Sequence, residues 1–529
     1  MEISALQWFA ALTPILLLLL LLVRFKWGGD EAASVGLVTA ILVAYAIYGG
    51  GADIIAVAVA KGMWNALSIV LVVLPALAIY EVSKEAGAFG VFRAGMESFT
   101  QNKVLQVLAV GWVFVSFLQG ITGFGVPVAV GAPLLVGLGV RPLTAVLITL
   151  LGQAWGNTFG TLAIAWDGLV GQVDFSDPLI LRSTILWATG MLGFANLLVG
   201  FIIAGLAGGY NGLKHNCVAV IILGLVQGLG QMWLALLNPM LSNFVVAAIS
   251  LAAVFLIGRH PYYRNAADLQ NPGEQHAATE TTVGMNIHQA FIPYYFLVVS
   301  AVLVLLNSTA KSYLGQWKLG LPFAGKTTQL GFVTKSTALY SPLAPLIHSG
   351  AFLFLAAVVG YAVYKWLGYI KPGGLGRIVR NSWQKTVPSA IAVIGLISMS
   401  KVMDETGQTA VLAQGVATVT GTFYPVLAPF IGLLGSFMTS SNLSSNILFG
   451  GFQQTVAQIL NVDKAPILAA QTAGAAVGSI IAPSKVLLGT TMAGILGQEG
   501  DVIRKFFGGA MLICAIFGLV ILAAIRLGG

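Results

Sequence analysis

The chain has 529 residues, 57% of them hydrophobic and only 8% charged, with a mean hydropathy of +0.90 and a formal net charge of +8. A soluble protein of this size covers its surface with roughly a quarter charged residues, so lipid is the solvent for much of this one and no soluble domain of ordinary size is left over. The basic excess sits in short segments between apolar runs, which points to the positive-inside rule and away from nucleic acid.

In chain order, the first apolar run, Ala5 to Val23, has no basic segment before it and no small-residue cleavage pattern after it, and reads as a retained helix. Runs long enough for a ~30 Å hydrocarbon core follow at 33–50, 64–84, 142–166, 178–206, 216–236, 238–258, 288–306, 345–369, 386–402, 463–489 and 503–526. Two longer stretches, 104–140 and 424–460, are broken at their middles by small and polar residues, at 119–125 and 439–446. That pattern predicts re-entrant hairpins, because irregular backbone is tolerated at membrane depth only where protein or a wet cavity surrounds it. The segment 369–385 carries Lys371, Arg377, Arg380 and Lys385 without an acid and is placed inside; alternation then puts Arg259, Lys214, Arg141, Lys103, Arg24 and Lys26 on the same side. The stretch 259–287 reads as a flexible cytoplasmic linker. The long loop 307–344 falls outside although it carries Lys311, Lys318, Lys326 and Lys335. Cys217 and Cys514 lie in apolar runs and read as inert.

The chain repeats itself. Glu85-Ala-Gly87 recurs as Glu405-Thr-Gly407, an offset of 320 residues that also pairs Gly95 with Gly415, Ser116-Phe117 with Ser436-Phe437, and Gly131 with Gly451. After a slip of two, Gln153, Gly156 and Gly160 pair with Gln471, Gly474 and Gly478. An odd number of crossings separates the copies, which predicts an inverted repeat, and paired broken segments of this kind point to a transporter site near the bilayer midplane.

A carboxylate leaving water needs replacement hydrogen bonds and positive potential, and broken helices supply both through free N–H groups and dipole ends. The breaks carry suitable neutral donors: Gln119 and Thr122 beside Gly123; Gln153, Asn157, Thr158 and Thr161; Ser440, Ser441, Asn442, Ser444, Ser445 and Asn446; Gln471, Thr472, Ser479 and Ser484. Lys485 is a cation inside an apolar segment and a candidate counter-charge for the anion. His348 and Glu405 are candidates for proton coupling. Lys401, Asp404 and Glu405, like Glu81, Lys84 and Glu85, are expected to pair among themselves at helix ends. No ATP site, metal cluster, nucleophile elbow or dinucleotide fingerprint is present, which excludes an ATP-driven pump and argues against an enzyme. A passive channel would show a polar stripe along several helices, whereas polarity here clusters at the breaks.

The run Ser116-Phe-Leu-Gln-Gly-Ile-Thr-Gly-Phe-Gly-Val-Pro to Gly139 resembles the first signature of the bacterial L-lactate permease family, and Asn442-Leu-Ser-Ser-Asn-Ile-Leu-Phe-Gly-Gly-Phe-Gln453 resembles its second. Ala470 to Lys505 is also similar, so the resemblance covers essentially the whole chain. It implies proton-coupled uptake of lactate or glycolate, and kinship with inverted-repeat transporters, several of which work as elevators. Family members often carry an acid where Gln119 stands, another near Asn442, and a lysine where Ser479 stands. The hairpin tips that are charged there are neutral here, and Lys485 takes over the cation role.

The sequence thus predicts an all-α polytopic protein of the inner membrane with about twelve crossings. Its units are N-terminal helices (1–60), a first repeat (61–206), intervening helices (207–380) and a second repeat (381–529). Its expected partners are a small organic anion, a coupling ion (a proton by resemblance, with sodium the rival), lipid, and a second copy in a homodimer. No cofactor and no nucleic acid are expected.

Overall fold

In lipid a backbone must satisfy its own hydrogen bonds, so apolar runs of this length fold as helices. A computed structural model of the chain describes residues 4–25, 27–123, 125–264, 269, 284–334 and 336–528. Among them, eleven helical stretches are long and apolar enough to cross a membrane, or twelve if a pair bent by 91° at residues 306–307 is one span. The protein is therefore a polytopic helical membrane protein.

The helices are α1 (Ala5–Leu19), α2 (Gly29–Ala46), α3 (Ala52–Glu85), the short α4 (Ala88–Ser98), α5 (Lys103–Ile121), α6 (Val126–Gly137), α7 (Pro142–Ala154) and α8 (Gly160–Val170). Next comes α9 (Pro178–Leu237), whose 60 residues would span about 90 Å if straight. It reverses at Gly209 (φ 58°, ψ −153°), and its arms pack antiparallel, Gly193 on Gly228 and Leu197 on Gly224. Then follow α10 (Pro239–Arg259), α11 (Ile292–Leu305), α12 (Ser308–Leu314), four short strands, α13 (Ser349–Trp366), α14 (Gly374–Glu405), α15 (Gln408–Thr420), α16 (Tyr424–Thr439), α17 (Asn442–Ile459), α18 (Lys464–Gly478), α19 (Pro483–Met492) and α20 (Glu499–Gly528).

Elements α3 to α8 and α14 to α19 follow the same order. Both α3 and α14 end on a glutamate, and both short helices after them start on a left-handed glycine, Gly87 (φ 76°) and Gly407 (φ 88°). The long helices α3 and α14 lie antiparallel at the centre of the molecule. Lys61 meets Glu405 at one end, Gly62 abuts Ser398, and Glu81 and Glu85 meet Lys385 and Arg377 at the other.

Several readings of the sequence are corrected here. The crossings drawn at 64–84 and 386–402 extend to Ala52–Glu85 and Gly374–Glu405, so the unit boundaries at 60/61 and 380/381 fall inside helices. Hydropathy stopped early because Arg377 and Lys385 look like loop charges. In the fold they sit on α14, neutralised by acids of α3. For the same reason the acids do not pair with their sequence neighbours: Glu405 goes to Lys61, and Lys401 donates to the Gly171 carbonyl at the end of α8 (3.2 Å).

The stretch 307–344 is folded. It holds α12 and two antiparallel strand pairs, β1 (Leu319–Phe323) with β4 (Thr337–Leu343) and β2 (Lys326–Thr327) with β3 (Val333–Thr334). It docks on α3 through Asp53 with Lys326 (3.0 Å) and Asn65 with the Tyr340 hydroxyl (3.1 Å), which gives Lys326 a structural role rather than a topological one. Lys26, Lys335, Phe124 of the first break, and most of the linker expected at 259–287 (265–268 and 270–283) lie outside the described residues.

Helices α16 and α18 approach so closely that a Cβ on Gly474 would lie 2.0 Å from the Pro429 carbonyl oxygen, and one on Gly432 would lie 2.1 Å from that of Gln471. No backbone atom can yield that far, so overpacking here costs at least about 1–3 kcal/mol. Gly474→Ala is expected to lower the unfolding temperature in detergent, whereas Gly508→Ala, on the open face of α20, leaves it in place.

Candidate functional site

Each break has a local cause. In the first, Gly123 and Gly125 take positive φ (52° and 84°), and a Cβ on Gly123 would sit 2.3 Å from Thr161 Oγ1, so only glycine lets this tip reach α8. In the second, Ser440 is left-handed (φ 58°) and Ser441 is extended, capping α17 by accepting the Ser444 N–H (3.3 Å). Each broken stretch folds back on itself: Val115 packs on Gly131, and Ser445 Oγ donates to the Gly432 carbonyl (2.8 Å). At the start of α8, Thr161, Leu162 and Ala163 are all left-handed, with φ from 47° to 66°. Each costs about 1–2 kcal/mol, a concentration of strain of the kind found at functional sites.

The breaks converge on a cavity of about 310 Å³. Gln119, Asn157, Ser440, Ser441, Asn442, Ser444 and Lys485 line it, as do Gly125, Gly160, Thr161, Thr439 and Ser484. The N-terminal ends of α2, α6, α8, α17 and α19 all contribute wall residues. Five helix N-termini and one ammonium group give this wall positive potential where an anion could sit, and Asp30 on α2 adds one negative charge to the lining.

The remaining residues named from the sequence lie behind this wall. Thr158 and Thr472 share a hydroxyl contact (3.1 Å), Asn442 Nδ2 donates to Thr158 Oγ1 (3.0 Å), and Asn446 Nδ2 donates to Thr472 Oγ1 (2.9 Å) and to the Ala165 carbonyl (2.8 Å). Gln471 donates to Ser445 Oγ (3.0 Å) and accepts from Gln453 (2.9 Å). This network ties the second hairpin to both interrupted helices and orients the tip. Thr122 is buried and turned to the Leu118 carbonyl (2.9 Å), and Gln153 is fully buried.

Lys485 is 9% exposed and donates to Asn157 Oδ1 (3.3 Å). Asn157 Nδ2 donates in turn to Ser479 Oγ (2.7 Å), which fixes the orientation of the amide. An ammonium has three donors, and this contact leaves capacity for an anion. Gln119 is 5% exposed, and its Oε1 has no hydrogen-bond partner.

Two residues named for coupling lie elsewhere. His348 caps α13, accepting the Gly350 N–H on Nδ1 (3.3 Å), with Nε2 3.1 Å from Ser68 Oγ. Glu405 is paired with Lys61 at 2.8 Å. Neither lines the cavity. Sequence reasoning missed the part of the lining formed by Gly29 and Asp30 of α2 and by Pro388, Ser389, Ala392 and Val393 of α14. It carries no local signal, since an acid in a first helical turn and small residues within a helix are both ordinary.

Comparison with known proteins adds three findings. The model of the family described as L-lactate permease matches residues 7–528. The L-lactate permease of Halalkalibacterium halodurans is 27% identical, covering 98% of this chain and 95% of its own length, and the glycolate permease GlcA of Escherichia coli is 26% identical, covering 97% and 94%. Among solved structures, the YdaH transporter of Alcanivorax borkumensis is similar with a TM-score of 0.42 at 12% identity, covering 88% of this chain and 86% of that one.

Proposed function

This chain belongs to the L-lactate permease family, and from that premise we propose that it is a secondary active transporter of a small monocarboxylate such as L-lactate, D-lactate or glycolate, working by proton symport. The family and the relatives' names make it a multi-pass cell-membrane transporter for lactate or glycolate, and not an enzyme. The observation that carries the finer reading is the cavity itself: five helix N-termini and Lys485 surround a space sized for a two- or three-carbon acid and a few waters, each water taking about 30 Å³. The substrate carboxylate sits on Lys485 and the free N–H groups of the second tip. Gln119 Oε1 accepts the 2-hydroxyl, which accounts for a preference for hydroxyacids.

The matched order of elements, the offset of 320 residues and the antiparallel pairing of α3 with α14 support an inverted repeat with two re-entrant hairpins. An elevator-like motion is supported by how the walls divide. The polar network ties segments 103–170 and 424–492 together, while α2 and α14 present glycine, proline, alanine, valine, a single serine and one acid across the cavity. At the cavity such a wall offers the polar body few hydrogen bonds to break; deeper along α14, Ser400 donates to the Ile447 carbonyl (3.1 Å) and Lys401 to that of Gly171 (3.2 Å), contacts a sliding motion would have to exchange. The cavity borders the start of α2, next to Arg24, so by the positive-inside rule this conformation opens inward.

The test is uptake of labelled lactate and glycolate into proteoliposomes, with a pH gradient and a sodium gradient imposed separately. Accumulation driven by the proton gradient is expected. Accumulation with sodium alone would replace the proton by sodium, and equilibration without accumulation would make the protein a facilitator. Absence of uptake under either gradient would overturn the reading.

A further inference from the structure

Among the described residues, the cavity wall holds two ionisable side chains, Lys485 on α19 and Asp30 in the first turn of α2. They belong to different parts of the lining, one on the hydrogen-bonded body and one on α2, and form no ion pair with each other. Gln119 also lines the cavity, is 5% exposed, and its buried Oε1 has no hydrogen-bond partner, a polar atom that a ligand could satisfy after a small turn of the amide.

Among the described residues, no cation forms an ion pair with Asp30; Lys26, four positions earlier, lies outside them. On its own helix, Glu31 turns back to the Gly28 N–H (3.3 Å). Helix α1 carries no ionisable side chain, and Arg24, just beyond it, is exposed. Helix α14 presents Pro388, Ser389, Ala392 and Val393 to the cavity, while its Lys385 and Arg377 are engaged with Glu81 and Glu85 of α3. Of the other charges of α3, Lys61 is paired with Glu405 and Asp53 with Lys326, and Lys84 is exposed at the far, Glu85 end of the helix.

Charge counting within this cavity has a consequence. When it is empty, one ammonium and one carboxylate balance. A substrate carboxylate that takes Lys485 leaves Asp30, a half-buried carboxylate, as an uncompensated anion on the same cavity as a second anion, an unfavourable arrangement even where water screens it. A single cation arriving with the substrate restores neutrality. We infer that Asp30 is the coupling residue, the carboxylate that takes up one cation for each monocarboxylate bound at Lys485. The inference rests on the transport reading above and adds to it the acceptor and a one-to-one ratio. The cation is a proton on a carboxylate oxygen or a sodium ion beside it.

The experiment compares the full-length parent chain with Asp30→Asn and Asp30→Glu in proteoliposomes, measuring gradient-driven accumulation and, separately, counterflow of labelled against unlabelled lactate with no gradient. With one-to-one coupling, a tenfold cation gradient supports about tenfold accumulation. Asp30→Asn should bring that ratio close to one while counterflow falls much less, and Asp30→Glu should restore accumulation. The pH-gradient and sodium-gradient arms identify the cation. Parent-like accumulation by Asp30→Asn would overturn the inference, as would equal loss of accumulation and counterflow, since the residue would then serve structure or binding. If the parent chain itself moves no hydroxyacid, the transport reading fails first; if the parent accumulates and Asp30→Asn does too, only the coupling role falls.

Discussion

A Lys485→Met variant is expected to fold and to lose the rise in melting temperature that lactate or glycolate gives the parent chain. Lys485 is 9% exposed, its one direct contact is a neutral amide oxygen at 3.3 Å, and Asp30, which balances its charge in the cavity as a whole, makes no ion pair with it, so the ammonium is buried without a contacting anion. Removing it relieves a desolvation cost in the empty protein, and the ligand-free variant should melt no lower than the parent. The bound carboxylate, in contrast, loses its opposite charge. Truncating one member of a buried, hydrogen-bonded charge pair costs about 2–5 kcal/mol, so apparent affinity should fall by about thirtyfold or more. Thermal-shift titration of purified protein reads both effects at once. An undiminished ligand response in Lys485→Met would remove the counter-charge role.

The second large effect is expected at the far end of α3. Lys61 and Glu405 form an ion pair at 2.8 Å with side chains 4% and 17% exposed, and the ammonium also lies 5.4 Å from the ring centre of Tyr340. Lys61→Met leaves Glu405 with its charge stranded between α3 and α14, a change that costs about 3–5 kcal/mol when a buried pair is broken from one side. Replacing both partners, Lys61→Met with Glu405→Leu, should recover most of that loss, because an apolar pair avoids the desolvation term. The pair at the other end of the same two helices behaves differently. Arg377 is 49% exposed, so Glu85→Gln should cost less than about 1 kcal/mol. Unfolding temperatures in detergent distinguish the two ends. A single Lys61→Met as stable as the parent would show that the pair holds nothing together.

Both expectations depend on contacts between residues far apart in the chain, and this is where the reach of sequence reading ends. The hairpin tips were legible because lipid leaves few reasons for Gly-Ile-Thr-Gly or Ser-Ser-Asn to interrupt an apolar run. Of the residues named from that signal, Gln119, Asn157, Ser440, Ser441, Asn442, Ser444 and Lys485 lie on one cavity wall, and the others, such as Asn446 and Gln471, lie behind it as its support. Wall and support look identical in sequence, since both need polar side chains beside a break. Asp30 was invisible for a different reason: an acid in the first turn of a helix is what the macrodipole favours anywhere, and only the position of α2 beside the tips sets it apart. The charges of α14 mislead in two ways: from sequence, Glu405 is expected to pair with close neighbours, as helical charges often do, and Lys385 reads as a loop charge, whereas the antiparallel α3 supplies the partners of both, Lys61 and Glu81.

The amino-acid sequence by itself determined that this chain lives in lipid as a helical, multi-pass protein, where its helices break, and to which family it belongs. Those properties follow from local composition, because transfer into hydrocarbon is decided segment by segment. The tertiary structure alone decided which polar groups face the same space, which charges neutralise one another, and that an acid from the N-terminal helices lines one cavity with a lysine more than four hundred residues later. Electrostatic energy depends on distance through space, and distance along the chain does not report it.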